Sequence, residues 1–230
     1  MKISIIIPAF NEEKVLGESL EEIKRAAAVF AELGWDVELI VCDNNSSDAT
    51  PRVARDAGAV VVFEKINQIG RARNTGARAA SGDWFIFVDA DSHPNPELFR
   101  EVAEAIRSVK YLAGGCTIRL DEPSLVPALV QGMWNQVSRT MNWVAGSFSF
   151  IEAASFRETG GFSQELFAAE EIELSQRLKK LSRAKGKEAL AMLPELYQAL
   201  DKAAKHGTIA KNKAARMKSR ITKRLSTVSK

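Results

Sequence analysis

The first half of the chain alternates short runs of β-branched and other apolar residues with longer segments in which apolar positions recur at helical spacing. The runs predict buried strands at residues 3–7, 37–42, 60–63 and 84–88, and the longer segments predict helices at residues 12–33, 49–57 and 69–80. Because these strands are apolar throughout rather than alternating, both faces of their sheet should be covered. The pattern therefore predicts an α/β fold with an open, mainly parallel sheet flanked by helices.

Beyond the fourth predicted strand the pattern is less regular. It predicts a helix at residues 96–109, a strand at 113–120, an amphipathic and aromatic stretch at 127–143, a strand at 147–151 and a charged helix at 168–181. From residue 187 onward the sequence predicts only helix, with interruptions at Pro194 and at His206.

Charge divides the chain into two parts. The net charge of +3 combines residues 179–230, which hold 15 Lys and Arg against 3 Asp and Glu, with residues 1–178, which hold 17 against 26. This asymmetry indicates two parts of the chain with different partners. No apolar run approaches the roughly 18 residues that span a bilayer. The expected location is the cytoplasm, with peripheral contact to a membrane as a further option.

Polar and acidic side chains follow the ends of the predicted strands. Asn11 and Glu12 follow the first strand, Asp43 follows the second, and Asp89 and Asp91 follow the fourth. Because ligands of open parallel sheets bind at the carboxyl ends of the strands, these side chains should face one crevice. Clustered carboxylates repel one another unless a cation lies among them, and oxygen ligands favour Mg²⁺ or Mn²⁺. Neither a G-x-G-x-x-G turn nor a P-loop follows the first strand, so a bound nucleotide would be held through carboxylates and a metal.

A series of sequence motifs resembles glycosyltransferase family 2. The motifs are IIIPAFNEE at residues 5–13, VCDNNSSDAT at 41–50, GRARNTG at 70–76, DAD at 89–91, GGF at 160–162 and EEIEL at 170–174. The resemblance covers about residues 1–187. It implies a GT-A fold and the transfer of a single sugar from a nucleotide-diphosphate sugar to an acceptor hydroxyl.

The resemblance also implies which residues bind the nucleotide sugar: Pro8, Asn11, Glu12, Asp43, Arg71, Arg73, Asp89, Gly161 and Phe162. The first four should line the pocket for the base and ribose, and Asp89 should hold the ribose or the sugar. One of the two arginines should contact phosphate, whose geometry a guanidinium matches. Asp91 should ligate Mn²⁺ or Mg²⁺ under the diphosphate. The glycine turn should let the backbone approach the sugar or the acceptor closely.

Glu171, with Glu170 beside it, stands where the family has its general base, which is more often Asp. The implied reaction inverts the sugar: the base removes the proton of the acceptor hydroxyl while the metal neutralises charge on the leaving diphosphate. Two other interpretations stay open. The two glutamates can be a charged first helical turn favoured by the helix dipole. A similar carboxylate-metal site can also serve a nucleotidyltransferase, which would release pyrophosphate.

After the α/β domain at residues 1–187, residues 188–230 form a predicted basic helical tail, which resembles the C-terminal helices of the bacterial small-subunit ribosomal protein numbered twenty. The resemblance rests on LPELYQALDKAAK at residues 193–205 and KNKAARMKSR at 211–220. It implies contact with RNA through the phosphate backbone, and an anionic membrane surface is the alternative partner. Members of glycosyltransferase family 2 usually continue past the Glu-Glu helix with a further strand, whereas this chain changes to the tail at about residues 185–188. An alternative function is therefore a catalytically impaired fusion whose tail binds rRNA.

Overall fold

The structure is a computed structural model that describes residues 1–117, 132, 135–136, 147–167, 169–206 and 210–228. The end of the strand predicted at 113–120 and most of the aromatic stretch predicted at 127–143 lie outside these described residues. The chain divides into two compact units, Met1–Leu178 and Lys179–Lys230. The division falls where the charge balance changes sign, and the domain boundary expected at residue 187 stays a prediction.

In the described part of the first unit, six strands form one sheet: β1 (Lys2–Ala9), β2 (Asp36–Asp43), β3 (Val60–Phe63), β4 (Trp84–Val88), β5 (Ala113–Gly115) and β6 (Phe148–Glu152). Their order across the sheet is β3-β2-β1-β4-β6-β5. The β1–β2, β1–β4 and β2–β3 pairs are parallel, whereas β6 runs antiparallel to both β4 and β5. The predicted open, mainly parallel α/β sheet is confirmed.

The helices that accompany the sheet are α1 (Leu16–Glu32), α2 (Thr50–Asp56), α3 (Ile69–Ala79), α4 (Pro96–Ser108), α5 (Ala153–Thr159) and α6 (Glu170–Ala191). Helix α6 continues across the boundary into the second unit. It is ten residues longer at its C-terminal end than the helix predicted at 168–181. The sequence pattern did not predict α5, which has only seven residues.

Both faces of the sheet are covered, as the apolar strands indicate. Along β1, Ile5 and Ile7 belong to a core cluster that includes Phe30 of α1 and Phe99 of α4. Ile6, between them, belongs to a second cluster on the other face, with residues of α3, α5 and α6. Alternate side chains of a strand point to opposite faces, so one continuous apolar run supplies both cores.

Helix α1 begins four residues later than the predicted helix at 12–33. Asn11, the residue before the predicted start, has a left-handed backbone (φ 56°), and residues 13–15 form a turn that precedes the first residue of α1. The backbone N–H of Glu12 donates to the Thr50 hydroxyl at 2.7 Å, and Leu16 N donates to Glu12 O. The segment between β1 and α1 is therefore a turn that is fastened to the start of α2.

The second unit contains the end of α6, helix α7 (Leu193–Lys205) and helix α8 (Lys211–Val228). Helices α7 and α8 contact each other and bury Leu200 and Ala214. The Lys218 ammonium lies 2.5 Å from a carboxylate oxygen of Asp201 and 5.4 Å from the centre of the Tyr197 ring. Pro194 occupies the first turn of α7, where its missing N–H costs no helical hydrogen bond.

In the residues that the structure describes, none of the helices is both long enough and apolar enough to cross a bilayer.

Candidate active site

A cavity of about 460 Å³ opens at the carboxyl ends of β1 and β4. Its lining residues are Pro8, Ala9, Phe10, Glu12, Asn44, Asn67, Gln68, Ile69, Asp89, Ala90 and Asp91. Four of the predicted site residues are among them, namely Pro8, Glu12, Asp89 and Asp91. The structure therefore brings the ends of β1 and β4 to one crevice. The end of β2, which the sequence also places there, contributes Asn44 rather than the predicted Asp43.

Burial and neighbouring carboxylates raise the pKa of two acidic side chains of the cavity, Glu12 and Asp89. Burial raises the pKa of Glu12, and the nearby Asp91 and Asp48 carboxylates raise it further. Burial also raises the pKa of Asp89; the Arg73 guanidinium opposes this shift, and Asp91 adds to it. A cation bound in the cavity would relieve this repulsion between carboxylates.

The donor set of the cavity suits a divalent cation that is shared with a bound phosphate. Among the residues that the structure describes, no group of three or more His, Cys, Asp or Glu side chains is arranged to hold a metal ion. Asp89 and Asp91, however, both line the cavity with carboxylate oxygens. Mg²⁺ and similar ions at phosphate sites typically take one or two protein carboxylates and complete their shell with phosphate oxygens and water. The residues present fit that arrangement.

Asn11 and Asp43 shape the loop after β2 rather than line the cavity of the described structure. The Asp43 carboxylate is buried and accepts a hydrogen bond from Ser46 N at 3.0 Å. Asn11 N donates to the Ser46 hydroxyl at 3.0 Å, and the Asn11 side-chain oxygen accepts from Ser47 N at 2.8 Å. These bonds fasten the loops after β1 and β2 to each other. The predicted contact of the two residues with the base and ribose stays a prediction.

Three polar residues of the cavity, Asn44, Asn67 and Gln68, were not predicted from the sequence. The Asn44 amide donates to Ile66 O at 2.6 Å and its oxygen accepts from Gln68 N at 3.0 Å. The Gln68 amide donates to Leu166 O at 2.5 Å, and its oxygen accepts from Arg71 Nε at 2.8 Å. Asn44 directly follows β2, so the rule that led to Asp43 could have found it. Gln68 directly precedes α3, a position with no comparable signal.

Arg73, on α3, is at the centre of an ion cluster that joins α3, the end of β4 and the start of α6. Its Nη2 lies 2.8 Å from Asp89 Oδ1, and its Nη1 lies 2.6 Å from Glu171 Oε1 and 3.4 Å from Glu170 Oε1. The Arg73 and Glu170 side chains are each only 3% exposed, whereas Glu171 is 20% exposed. Burial raises the pKa of Glu170. Burial opposes the charge of Arg73, but Asp89 and Glu171 outweigh this and raise its pKa.

The family model of Glycosyl transferase family 2 matches residues 4–150. The chain belongs to glycosyltransferase family 2. The match contains β1 and β4, at whose ends the cavity opens, as well as β2, and it stops within β6. A second model, Ribosomal protein S20, matches residues 173–226, which comprise most of α6, all of α7 and most of α8. Both resemblances stated from the sequence are confirmed.

Relatives and solved structures support the family and its fold. A dolichol-phosphate mannosyltransferase of Pyrococcus furiosus is 32% identical over 120 residues, which is 50% of this chain and 33% of that protein. The crystal structure of TarS residues 1–349 from Staphylococcus aureus with UDP-GlcNAc has a TM-score of 0.61 at 23% identity, over 77% of this chain and 53% of that one. A Pyrobaculum calidifontis mannosyltransferase in complex with GDP-Man and Mn²⁺ has a TM-score of 0.59 at 21% identity, over 74% of this chain and 49% of that one. The fold is GT-A.

The family-2 chain spans only part of these relatives. It covers about a third of the curated mannosyltransferase and about half of the TarS chain.

The family's glycine turn packs against α3 rather than against the cavity described here. Gly161 is left-handed (φ 74°), and a Cβ on it would lie 2.5 Å from the Asn74 side-chain oxygen. Asn74 holds the next residue through both of its backbone groups: Phe162 N donates to its oxygen at 2.9 Å, and its amide donates to Phe162 O at 2.8 Å. The Phe162 ring is buried against Phe87. The predicted contact of Gly161 and Phe162 with sugar or acceptor stays a prediction.

Proposed function

We propose that the chain is an inverting, metal-assisted glycosyltransferase that moves one sugar from a nucleotide-diphosphate sugar to an acceptor hydroxyl. The observation that carries the proposal is the acidic cavity at the carboxyl ends of β1 and β4, in a chain that belongs to glycosyltransferase family 2. Two solved structures of the same fold are complexes with a nucleotide sugar, UDP-GlcNAc in one and GDP-Man in the other.

In this proposal the donor occupies the cavity with its base and ribose beside Pro8 and Glu12. Asp91, together with Asp89, would hold Mn²⁺ or Mg²⁺ against the diphosphate, and the ion would supply positive charge to the leaving group. The buried Asp43 and the left-handed Asn11 fix the loop that borders this pocket. Arg71, held by Gln68 at the edge of the cavity, is the better placed of the two arginines to contact phosphate.

Glu171 is the general base of the proposed reaction. The acceptor oxygen attacks the anomeric carbon, the bond from that carbon to the diphosphate breaks, and the hydroxyl proton passes to the Glu171 carboxylate. Attack from the side opposite the leaving group inverts the sugar. The Glu171 side chain is 20% exposed, so an acceptor can reach it, whereas Glu170 is buried.

The products distinguish this reaction from the nucleotidyltransferase alternative. The full chain is incubated with Mn²⁺ and either UDP-GlcNAc or GDP-mannose, with water or an added alcohol as the acceptor. A separate incubation contains Mn²⁺, UTP or GTP and a sugar 1-phosphate, because pyrophosphate can be released only from the triphosphate. Nucleoside diphosphate, pyrophosphate and the anomeric form of the transferred sugar are measured. We expect nucleoside diphosphate and an inverted sugar, with turnover lost in Glu171→Gln while donor binding is retained. Release of pyrophosphate would identify a nucleotidyltransferase, and full turnover in Glu171→Gln would remove this residue from the role.

We propose that the basic tail provides a second function, RNA binding. Residues 179–230 carry a net charge of +12, and the Ribosomal protein S20 model covers most of them. Lys202, Lys205 and Lys213 are exposed on α7 and α8. Neutralising phosphates releases counterions, so the affinity for RNA should fall steeply with salt.

The test compares binding of a structured RNA hairpin by the full chain and by the variant Lys202→Gln/Lys205→Gln/Lys213→Gln at several KCl concentrations. The matched control replaces three exposed lysines of the first unit, Lys14, Lys65 and Lys110, by Gln. The tail variant alone should bind more weakly and show a shallower salt slope, by about 0.7 to 0.9 per lost phosphate contact. Binding to anionic vesicles but not to RNA would assign the tail to membranes. RNA binding without any donor turnover would favour the impaired-fusion alternative.

A further inference from the structure

Arg73 lies between the two carboxylates to which the proposed function gives opposite tasks. Asp89 belongs to the donor side of the cavity, whereas Glu171 is the base on the acceptor side. The two are bound by different nitrogens of one guanidinium, at 2.8 Å and 2.6 Å. We propose that Arg73 is a positioning residue that sets the place of the base relative to the donor by bridging Glu171 to Asp89. This inference rests on the proposed glycosyl transfer.

Contacts other than those with the carboxylates also hold helix α3 and the Arg73 guanidinium in place. Helix α3 is seated closely on β1, because a Cβ on Gly76 would lie 2.5 Å from the Ile6 side chain. One residue after Arg73, Asn74 is hydrogen-bonded to both backbone groups of Phe162. The Arg73 guanidinium lies 5.3 Å from the centre of the Phe162 ring. Helix α3 is therefore fixed by its own packing, and the Arg73 guanidinium also packs against the Phe162 ring.

The elements that carry the two carboxylates are not neighbours in the chain. Asp89 follows β4, and Glu171 lies in the first turn of α6, 98 residues after Arg73. Arg177, one and a half turns further along α6, also donates to Gly161 O at 2.7 Å. Helix α6 is thus held near its start to α3 and to the glycine turn. Through Arg73, the start of α6 is joined to Asp89 at the end of β4, where the proposed donor binds.

Arg73 uses its two terminal nitrogens to join two carboxylates and leaves its third nitrogen, Nε, without a hydrogen bond in the described structure. This Nε is buried. A buried N–H without a partner costs stability, so this orientation of the side chain favours the two acids over complete pairing. A lysine could neutralise the same charge, but its single ammonium lacks the planar fork that fixes two oxygens relative to each other.

The experiment replaces Arg73 by Lys in the full chain, which keeps the charge and removes the fork. Arg78→Lys is the matched control, since Arg78 lies on the same helix, is 62% exposed and contacts Glu64 outside the cluster. Turnover with UDP-GlcNAc or GDP-mannose and Mn²⁺, the Kd of the donor and the unfolding midpoint are measured for each. We expect Arg73→Lys to lower kcat about 100-fold, the effect of a misplacement of roughly 1 Å, with the donor Kd changed far less. Arg78→Lys should leave both unchanged.

A double-mutant cycle shows whether Arg73 acts through Glu171. In a Glu171→Asp background the shorter carboxylate no longer binds Arg73 with the same geometry. Arg73→Lys should therefore lower kcat by a much smaller factor than it does in the parent chain. If Arg73→Lys lowers kcat by the same factor in both backgrounds, Arg73 forms only a structural ion pair and the inference is overturned. Parent-like kcat in a folded Arg73→Lys chain would overturn it as well. A parent chain that releases no nucleoside diphosphate would instead refute the proposed function, and the positioning role would fall with it.

Discussion

Adding one methyl group at Gly161 should disrupt the contact between the glycine turn and α3. Gly161 has a left-handed backbone, and a Cβ there would lie 2.5 Å from the Asn74 side-chain oxygen and 3.1 Å from the Phe156 ring. Neither neighbour can move freely, because the Asn74 oxygen accepts from Phe162 N and Phe156 is buried. Gly160 provides a matched control, since it is also left-handed (φ 83°) but has no atom within 4 Å of the added Cβ.

Both substitutions strain a left-handed backbone, but only Gly161→Ala also adds a steric overlap. An L-residue in the left-handed conformation costs about 1–2 kcal/mol, which Gly160→Ala and Gly161→Ala both incur. Gly161→Ala adds overpacking of about 1–3 kcal/mol in a closely packed region, part of which is loss of the Asn74 hydrogen bonds. We therefore expect Gly161→Ala to destabilise the first unit by roughly 1–3 kcal/mol more than Gly160→Ala.

Urea unfolding followed by tryptophan fluorescence measures this difference in the first unit, because all four tryptophans precede residue 179. With a slope of about 1–3 kcal/mol per molar urea, the difference separates the two midpoints by several tenths of a molar or more. Equal midpoints for Gly160→Ala and Gly161→Ala would refute the packing argument and leave only the backbone effect. A Gly161→Ala midpoint equal to that of the parent chain would refute both the packing argument and the backbone effect.

Two further predictions concern the half-buried Glu38 and the buried Cys42. Burial alone would raise the pKa of Glu38, but hydrogen bonds from Lys2, Ser4 and Ser81 lower it to about 2. The unfolded value is 4.5, so this stabilisation is complete above that pH and is lost as the pH falls toward about 2. In urea titrations over this range Glu38→Gln should flatten the pH dependence of stability, and an unchanged profile would contradict the assignment. Burial raises the pKa of the Cys42 thiol to about 12. Iodoacetamide at pH 8 should therefore label this thiol slowly in the native chain and fast in urea, and equally fast native labelling would show that it is accessible.

The strands of the parallel half of the sheet could be predicted because their apolar runs are continuous and bounded by turns. The strands predicted at 60–63 and 84–88 coincide with β3 and β4. Local patterns did not reveal that β6 runs antiparallel to β4, because pairing depends on how distant segments meet. Helix α5 is too short for its periodicity to be recognised. Helix α1 begins late because residues 13–15 form a turn, which the apolar periodicity does not distinguish from a first turn of helix.

The candidate site was predictable where it depends on topology alone. The carboxyl ends of parallel strands share one edge, and this rule placed Glu12, Asp89 and Asp91 together before the structure was known. The rule says nothing of helices, so the ion cluster between Arg73 and the first turn of α6 was not predictable from residues so far apart in sequence. The contacts of Gln68 with the loop before α6 depend on the same docking of distant segments.

The most direct test of the account is the thermal stability of the full chain with nucleotide sugars. The unfolding midpoint is measured with UDP-GlcNAc, GDP-mannose and a dTDP-sugar, each with and without Mn²⁺, for the parent chain and for Asp91→Asn. Because a ligand of the native state stabilises it by about 2.7 kcal/mol at a hundredfold excess over Kd, a bound donor raises the midpoint. We predict an increase with one nucleotide that depends on Mn²⁺ in the parent chain and is reduced in Asp91→Asn. No increase with any donor would contradict a nucleotide-sugar site at the ends of β1 and β4.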